Sequence, residues 1–186
     1  MRLFHFSEDA NITTFVPRSP EHRPEVDPYV WVVDDEHAWT YYFPRDCPRI
    51  LLWPTPETTA EDLQHWFGGD PGGRIACIEW SWLERMRSVP IYRYELDPAN
   101  FVPLEGDGWM LVSRETETPI AMEPLGADLV DALCADGVEV RVMPNLVPLW
   151  SAWEHSFHFS GIRLRYAQNW PGNAPPPPVR LAAQQH

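Results

Sequence analysis

The sequence contains no lysine, because all fourteen of its basic residues are arginine. A Walker-type lysine, a Schiff base and a kinase-type ATP-binding lysine are therefore excluded. Any phosphate must be held by arginine side chains or by main-chain N–H groups. Biased codon usage in a GC-rich genome is the simplest explanation for the missing lysine.

Cysteine is scarce as well. Cys47, Cys77 and Cys134 stand far apart without Cys-x-x-Cys spacing. This scattered set predicts neither a disulfide framework nor a zinc site, and it favours buried free thiols in a reducing cytoplasm.

Other common reaction motifs are absent. There is no Gly-x-Ser-x-Gly segment, and Cys47 lacks papain-like neighbours. The pairs His155/His158 and Asp34/His37 have no further ligand at a suitable spacing, so we predict no metal site. A catalytic triad assembled from distant residues remains open.

The chain has no net positive charge and no long apolar run. The formal net charge is -13, which disfavours nucleic acid and anionic lipid as partners. No apolar run approaches the roughly 18 residues that span a membrane, and Arg2 is followed by a strand-like alternation and not by a signal peptide. We expect a soluble cytoplasmic protein that has no membrane partner; its oligomeric state is left open.

Apolar and aromatic residues are plentiful, at 44% and 13% of the chain. Residues 1–170 suit a single globular domain. From residue 171 to 186 the chain is rich in proline, which predicts an extended, disordered tail. A proline-rich ligand is the alternative for this tail.

The pattern of apolar residues predicts an α+β fold with a mixed, largely antiparallel sheet core and three or four short helices. We predict strands over residues 2–7, 29–33, 50–53, 91–96, 109–113, 138–142 and 157–166. We predict helices over residues 35–42, 58–67, 127–135 and 149–155, and over residues 75–87 a strand that runs into a short helix. Thr58 and Glu61 form a capping box for the second helix, and Gly137 follows the third.

The first strand carries the most informative polar pair. Side chains alternate along a strand, so Phe4 and Phe6 share one face while His5 and Ser7 share the other. In one interpretation the pair forms hydrogen bonds within the sheet. In the other, His5 bonds to a ligand hydroxyl and Ser7 orients that ligand.

Glu115 and Glu117 follow the strand predicted over residues 109–113. Side chains at a strand end often point into a cleft, although a solvated turn is the simpler explanation of these two glutamates. Glycoside hydrolysis would need two carboxylates that face one cleft, which the sequence does not fix.

Nearly the whole chain before the proline-rich tail resembles a family of uncharacterised bacterial proteins that share a domain of unknown function. The similarity lies in Leu-Phe-His-Phe-Ser-Glu-Asp (3–9), Tyr-Tyr-Phe-Pro-Arg-Asp-Cys-Pro-Arg (41–49) and Phe-Ser-Gly-Ile-Arg-Leu-Arg (159–165). This resemblance implies no activity.

Shorter motifs are similar to those of the ADP-ribosyltransferase fold. They are His5-Phe-Ser7, the segment from Val30 to Ala38 with Tyr41 and Tyr42, and a glutamate at 115 or 117. The resemblance implies that His5 holds a ribose hydroxyl of NAD and that Trp31 stacks near the nicotinamide. The glutamate would position the ribose or the acceptor. Trp31 departs from the tyrosine that is usual in this family, and neither glutamate has a distinctive flank.

Our preferred hypothesis is an ADP-ribosyltransferase-like domain that binds NAD, as its substrate, or a related nucleotide. The predicted catalytic residues are His5, Glu115 and Glu117, and the predicted nucleotide-binding residues are Ser7, Trp31, Tyr42, Arg45 and Arg163. A non-enzymatic interaction module is the alternative. It would be favoured if Trp39, Trp66 and Trp82 were exposed in one patch while His5 was buried and fully hydrogen-bonded.

Overall fold

Strands and short helices alternate along the chain. The structure is a computed structural model and describes residues 1–19, 25–104 and 109–171. The strands are β1 (Leu3–Ser7), β2 (Val30–Asp34), β3 (Arg49–Trp53), β4 (Arg74–Glu79), β5 (Tyr92–Leu96), β6 (Val102–Pro103), β7 (Met110–Ser113), β8 (Ala121–Pro124), β9 (Val138–Met143) and β10 (His158–Ile162). The α-helices are α1 (Ala60–Phe67), α2 (Leu83–Met86) and α3 (Leu129–Ala135). Turns of 3-10 helix cover Ala38–Tyr41, Trp80–Trp82, Pro98–Asn100, Val147–Glu154 and Leu164–Tyr166.

The described residues fall into two compact units, each built on one sheet. Of the described residues, the first unit holds those within 1–42 and 90–125, and the second unit holds 43–89 and 126–171. The prediction of a single domain over residues 1–170 stays a prediction. Residues 172–186 of the predicted tail lie outside the described ranges.

The sheet of the first unit has six strands in the order β6-β7-β2-β1-β5-β8. Every pair of neighbouring strands in it is antiparallel. Its buried apolar cluster consists of Leu3, Phe15, Val30, Val32, Tyr94, Leu96, Phe101 and Leu111. β1 therefore lies inside the sheet, where its polar residues must find partners.

The sheet of the second unit has four strands in the order β10-β3-β4-β9. Its two central strands are almost wholly apolar, as expected for strands covered on both faces. β4 pairs with β9 in parallel, and α3 directly precedes β9, while the other two pairs are antiparallel. Phe67, Leu146 and Phe157 contribute to the same buried cluster as β3 and β4.

The α+β class and the largely antiparallel pairing are confirmed, but the strands form two sheets and not one. The sequence analysis missed β6 and β8, which are short and exposed at every position. Such strands carry no alternation of buried and exposed residues from which to predict them. Among the described residues, no helix is both long and apolar enough to cross a membrane.

The helix predicted over residues 58–67 is present as α1, but its cap is displaced by one residue. Thr59 is the N-cap, and its hydroxyl accepts the Asp62 N–H at 3.2 Å. Thr58 instead accepts the Thr55 N–H at 2.8 Å, in the turn before the helix. Gly68 ends α1 with a φ of 62°, a left-handed conformation that favours glycine.

Three other predicted elements are shorter or tighter than expected. In the segment 35–42 only Ala38–Tyr41 is helical, because the Asp34 carboxylate accepts the His37 N–H at 2.9 Å and closes a turn first. The helix predicted over 149–155 is the 3-10 segment Val147–Glu154. The strand predicted over 157–166 ends at Ile162, since Arg163 adopts a φ of 57°.

Candidate functional site

The sheet of the first unit is split between β1 and β2. These strands pair only at Leu3 with Asp34 and at Phe4 with Val33. By contrast, β1 pairs with β5 along all five of its residues, and β2 pairs with β7 at four positions. From His5 onward the β2-facing edge of β1 therefore has no ladder partner in β2.

His5 spans this split. Its Nδ1 lies 2.9 Å from the main-chain oxygen of Trp31. A carbonyl oxygen can only accept, so Nδ1 carries the hydrogen and the Nε2 of a neutral ring is left as an acceptor. The side chain of His5 thus makes a bond across the gap where the main-chain ladder has ended.

Packing keeps the imidazole neutral. The ring of Phe15 lies 4.6 Å from the ring of His5, centroid to centroid. Burial, which is the largest influence, lowers the pKa of His5; the bond to the Trp31 carbonyl opposes that effect, and the positive charge of Arg18 adds to it. A neutral histidine at pH 7 can accept a hydrogen bond from a hydroxyl but cannot pair with a phosphate as a cation.

Trp31 borders the split from the other face of the sheet. The register places Phe4 opposite Val33, and alternation then puts Phe4, Phe6 and Trp31 on one face and His5 on the other. Phe4 is buried and Phe6 partly buried, as is Trp31. The predicted pair of His5 and Trp31 is brought together through the Trp31 main chain and not through its ring.

The two candidate glutamates differ in exposure. Glu117 is buried, its Oε1 accepts the Ser113 hydroxyl at 2.6 Å, and its main chain exchanges two hydrogen bonds with Phe15. Glu115 is exposed, and its N–H donates to the Ser113 hydroxyl oxygen at 3.0 Å. β7, which precedes both residues, is the direct neighbour of β2.

The remaining predicted residues are distributed over both units. Ser7 lies at the end of β1, where its hydroxyl oxygen accepts the Asp9 N–H at 3.1 Å. Tyr42 is buried, with its ring 5.5 Å from that of Phe6. Arg45 is exposed and Arg163 partly buried, and both belong to the second unit.

The sequence analysis missed a polar cluster in the second unit. The Asp62 carboxylate accepts three hydrogen bonds: from His155 Nδ1 at 2.9 Å, from the Ser156 N–H at 2.7 Å and from the Ser156 hydroxyl at 2.5 Å. Together these bonds lower the pKa of Asp62 to about 2, with the Ser156 hydroxyl as the largest cause. The cluster ties α1 to the segment before β10, and no spacing in the sequence links residues so far apart.

The tryptophans expected for an interaction module are not equally exposed. Trp39 is buried in the first unit, while Trp66 and Trp82 are partly buried in the second. The interaction module stays a prediction.

Cys47 and Cys77 are buried free thiols, as predicted, and burial raises the pKa of each to about 12. Cys134 is also a free thiol, but it is exposed, so the prediction of a buried thiol is wrong at this position. Within residues 1–19, 25–104 and 109–171, no group of three or more histidine, cysteine or acidic side chains could hold a metal ion.

The fold and the split sheet define an α+β protein whose clearest candidate site lies in its first unit. The chain belongs to a family of unknown function, DUF6886, whose model matches residues 4–167. No curated protein and no solved structure matches the chain. The resemblance to a family with a domain of unknown function is confirmed, and the family name carries no activity.

Proposed function

We propose that the first unit binds NAD or a related nucleotide in the split between β1 and β2, as an ADP-ribosyltransferase-like domain. The observation that carries the proposal is the short pairing of these strands, which ends at Phe4. Beyond it, the β2-facing edge of β1 presents main-chain N–H and C=O groups outside any ladder with β2. The carboxamide of nicotinamide both donates and accepts hydrogen bonds, and a strand edge complements it in both directions.

His5 supplies the acceptor for a ribose hydroxyl. Its proton is held on Nδ1 by the Trp31 carbonyl, so Nε2 points its lone pair away from that bond. The lowered pKa of His5 keeps this lone pair available at neutral pH. Trp31, at the opposite face of the split, offers a flat ring for stacking on the nicotinamide.

Glu115 is the glutamate that we assign to the ligand. The carboxylate of Glu117 already accepts the Ser113 hydroxyl, and Glu117 is only 6% exposed. Glu115 is exposed and stands two residues earlier, directly after β7. There it would position the ribose or the acceptor while the glycosidic bond opens with oxocarbenium character.

Titration calorimetry of the full chain with NAD tests this proposal. Glu115→Gln should weaken NAD binding about tenfold, since a hydrogen bond to a charged group contributes about 1.5–3 kcal/mol. The matched control is Glu61→Gln, which changes an exposed glutamate of α1 and should leave the affinity unchanged. Nicotinamide release, measured in the same samples, reports whether the bound NAD is cleaved.

Two results would overturn the proposal. One is the absence of any heat of binding at millimolar NAD. The other is an equal affinity of wild type and Glu115→Gln. Binding without nicotinamide release would keep the nucleotide site and remove the transferase activity.

A further inference from the structure

β9 is an outer strand of the sheet in the second unit. It pairs with β4 in parallel along its whole length, and no other strand among the described residues pairs with its second edge. Every second residue of such a strand directs its N–H and C=O groups away from the sheet. β9 therefore presents a row of main-chain donors and acceptors with which a further strand can pair.

The other outer strands of the two sheets carry residues that hinder pairing with another chain. β6 ends at Pro103 and β8 ends at Pro124, and a proline has no N–H to donate. β10 contains Gly161, which weakens a strand because it has no side chain to pack. β9 contains neither proline nor glycine, and three of its six residues are valines, which favour strands.

The side chains of β9 divide into an apolar face and a charged face. Val138, Val140 and Val142 share one face, and Val142 is 38% exposed. Glu139 and Arg141 share the other face, where Arg141 Nε donates to Glu139 Oε1 at 2.7 Å. The strand therefore carries one negative and one positive charge, placed symmetrically about Val140.

This order of residues is complementary to itself in an antiparallel pair. When Val140 lies opposite Val140 of a second copy, Glu139 lies opposite Arg141. In the same register Val138 lies opposite Val142, so valine meets valine along the apolar face. Directly opposite Cβ atoms are about 4.5–5.5 Å apart, a distance at which oppositely charged side chains stabilise a sheet. Two-fold symmetry forms each of these contacts twice.

Other registers of the pair are unfavourable. A shift by two residues places Glu139 opposite Glu139 in one direction and Arg141 opposite Arg141 in the other. A shift by one residue places Glu139 opposite a valine and mixes the two faces. The charges of β9 therefore favour the register centred on Val140.

We propose that two copies of this chain associate through β9, in an antiparallel pair centred on Val140. The sheets of the two second units then form one continuous sheet. The formal net charge of -13 opposes the approach of two copies, so the dimer depends on the cross-strand pairs of Glu139 with Arg141. The proposal concerns the second unit and is independent of nucleotide binding in the first.

Sedimentation velocity of the full chain and of two charge-reversal variants tests this pairing. Glu139→Arg gives each copy two arginines on the charged face, and Arg141→Glu gives each copy two glutamates. Each variant alone opposes like charges, so its Kd for dimerisation should rise at least about tenfold above that of the wild type. In an equimolar mixture the arginines of one variant lie opposite the glutamates of the other. Heterodimers should then form with about the wild-type Kd, which also shows that both variants are folded.

A matched control separates the β9 contact from the change in net charge. Glu57→Arg changes the net charge as much as Glu139→Arg does, at an exposed residue outside β9. It should leave the Kd at the wild-type value.

A spin label on Cys134 locates the contact in the wild-type chain. Cys134 is exposed, whereas burial raises the pKa of the Cys47 and Cys77 thiols to about 12, so the label reacts at Cys134. Cys134 precedes Val140 by six residues, which span at most about 21 Å. In the proposed dimer the two Cys134 Cα atoms are therefore no more than about 45 Å apart. Pulsed electron paramagnetic resonance measures the distance between the two labels.

Any one of three results contradicts the proposal. The first is a wild-type chain that sediments as a monomer at concentrations up to about 1 mM. The second is an equimolar mixture of the two variants that associates no more tightly than either variant alone. The third is a distance between the labels well above about 45 Å, which would place the contact between copies on another surface.

Discussion

The two sheets differ in the contacts that stabilise their internal strands. In the second unit, Ile50, Leu51 and Leu52 of β3 are completely buried among apolar neighbours. In the first unit, β1 is equally internal to its sheet but carries His5, whose ring bonds to a main-chain carbonyl. An apolar strand is held by burial alone, whereas a polar residue inside a sheet is tolerated only with a specific partner.

His5 of the first unit and His155 of the second unit differ in their hydrogen-bond partners. His5 bonds to a neutral carbonyl oxygen and has a lowered pKa, so its surroundings favour the uncharged ring. His155 bonds to the carboxylate of Asp62, and its side chain is 39% exposed. His5 is therefore a structural and candidate ligand-binding group. His155 belongs to the polar cluster of Asp62, His155 and Ser156, which we call the surface clasp.

The largest expected effect is in the apolar strand. Leu52→Ala should lower the free energy of unfolding by about 3 kcal/mol, because it removes a fully buried side chain and leaves a cavity. Urea unfolding measures the change. Leu63→Ala, at a partly buried position packed on the same cluster, should cost clearly less. Equal costs for the two variants would show that burial in β3 is not the source of its stability.

The next effect concerns His5. His5→Phe keeps an aromatic ring of similar size but leaves the Trp31 carbonyl without its donor, which should cost about 1–3 kcal/mol at pH 7.5. Trp31→Phe retains that main-chain carbonyl and should preserve the bond. The comparison fails if His5→Phe is as stable as the wild type.

The pH dependence of the free energy of unfolding tests the role of His5 independently of the mutation at pH 7.5. Its folded pKa lies below the ordinary 6.5, so the unfolded chain binds more protons between these two values. Stability is then fully present above pH 6.5 and decreases as the pH falls below it. Urea unfolding at several pH values should show a shallower decrease for His5→Phe than for the wild type, while Trp31→Phe should follow the wild type.

Sequence reasoning found the strands that burial specifies strongly. Residues 3–7, 50–53 and 91–96 alternate or are continuously apolar, and each is a strand in the structure. β8 was missed because Ala121–Pro124 is exposed throughout, and its pairing with β5 depends on tertiary contacts. The helix over residues 35–42 was predicted too long because the side chain of Asp34 closes a turn with His37.

The candidate site was predictable only in part. Alternation identified His5 and Ser7 as the polar face of β1, but it could not reveal that the pairing of β1 with β2 ends after Phe4. Strand register depends on both partners, and residues 8–29 separate β1 from β2 in the sequence. The contact between Asp62 and His155 joins residues 93 positions apart, and no local pattern encodes it.

The smallest expected effect is in the surface clasp of the second unit. Asp62 has a pKa of about 2 in the folded chain, below its ordinary 3.8. Its contribution to stability is therefore present above pH 3.8 and is lost as the pH falls through 2. Because the clasp is close to solvent, we expect that contribution to be about 0.5 kcal/mol.

Carboxyl-carbon NMR titration of Asp62 isolates this effect better than an unfolding curve. Ser156→Ala removes the hydroxyl that lowers the pKa most, so the Asp62 pKa should rise toward 3.8. His155→Gln should raise it less, because the bond from His155 ranks below both bonds from Ser156. A larger shift in His155→Gln than in Ser156→Ala would mean that the histidine controls the clasp. The second unit would then rely on a histidine for this contact, as the first unit relies on His5 for the bond between β1 and β2.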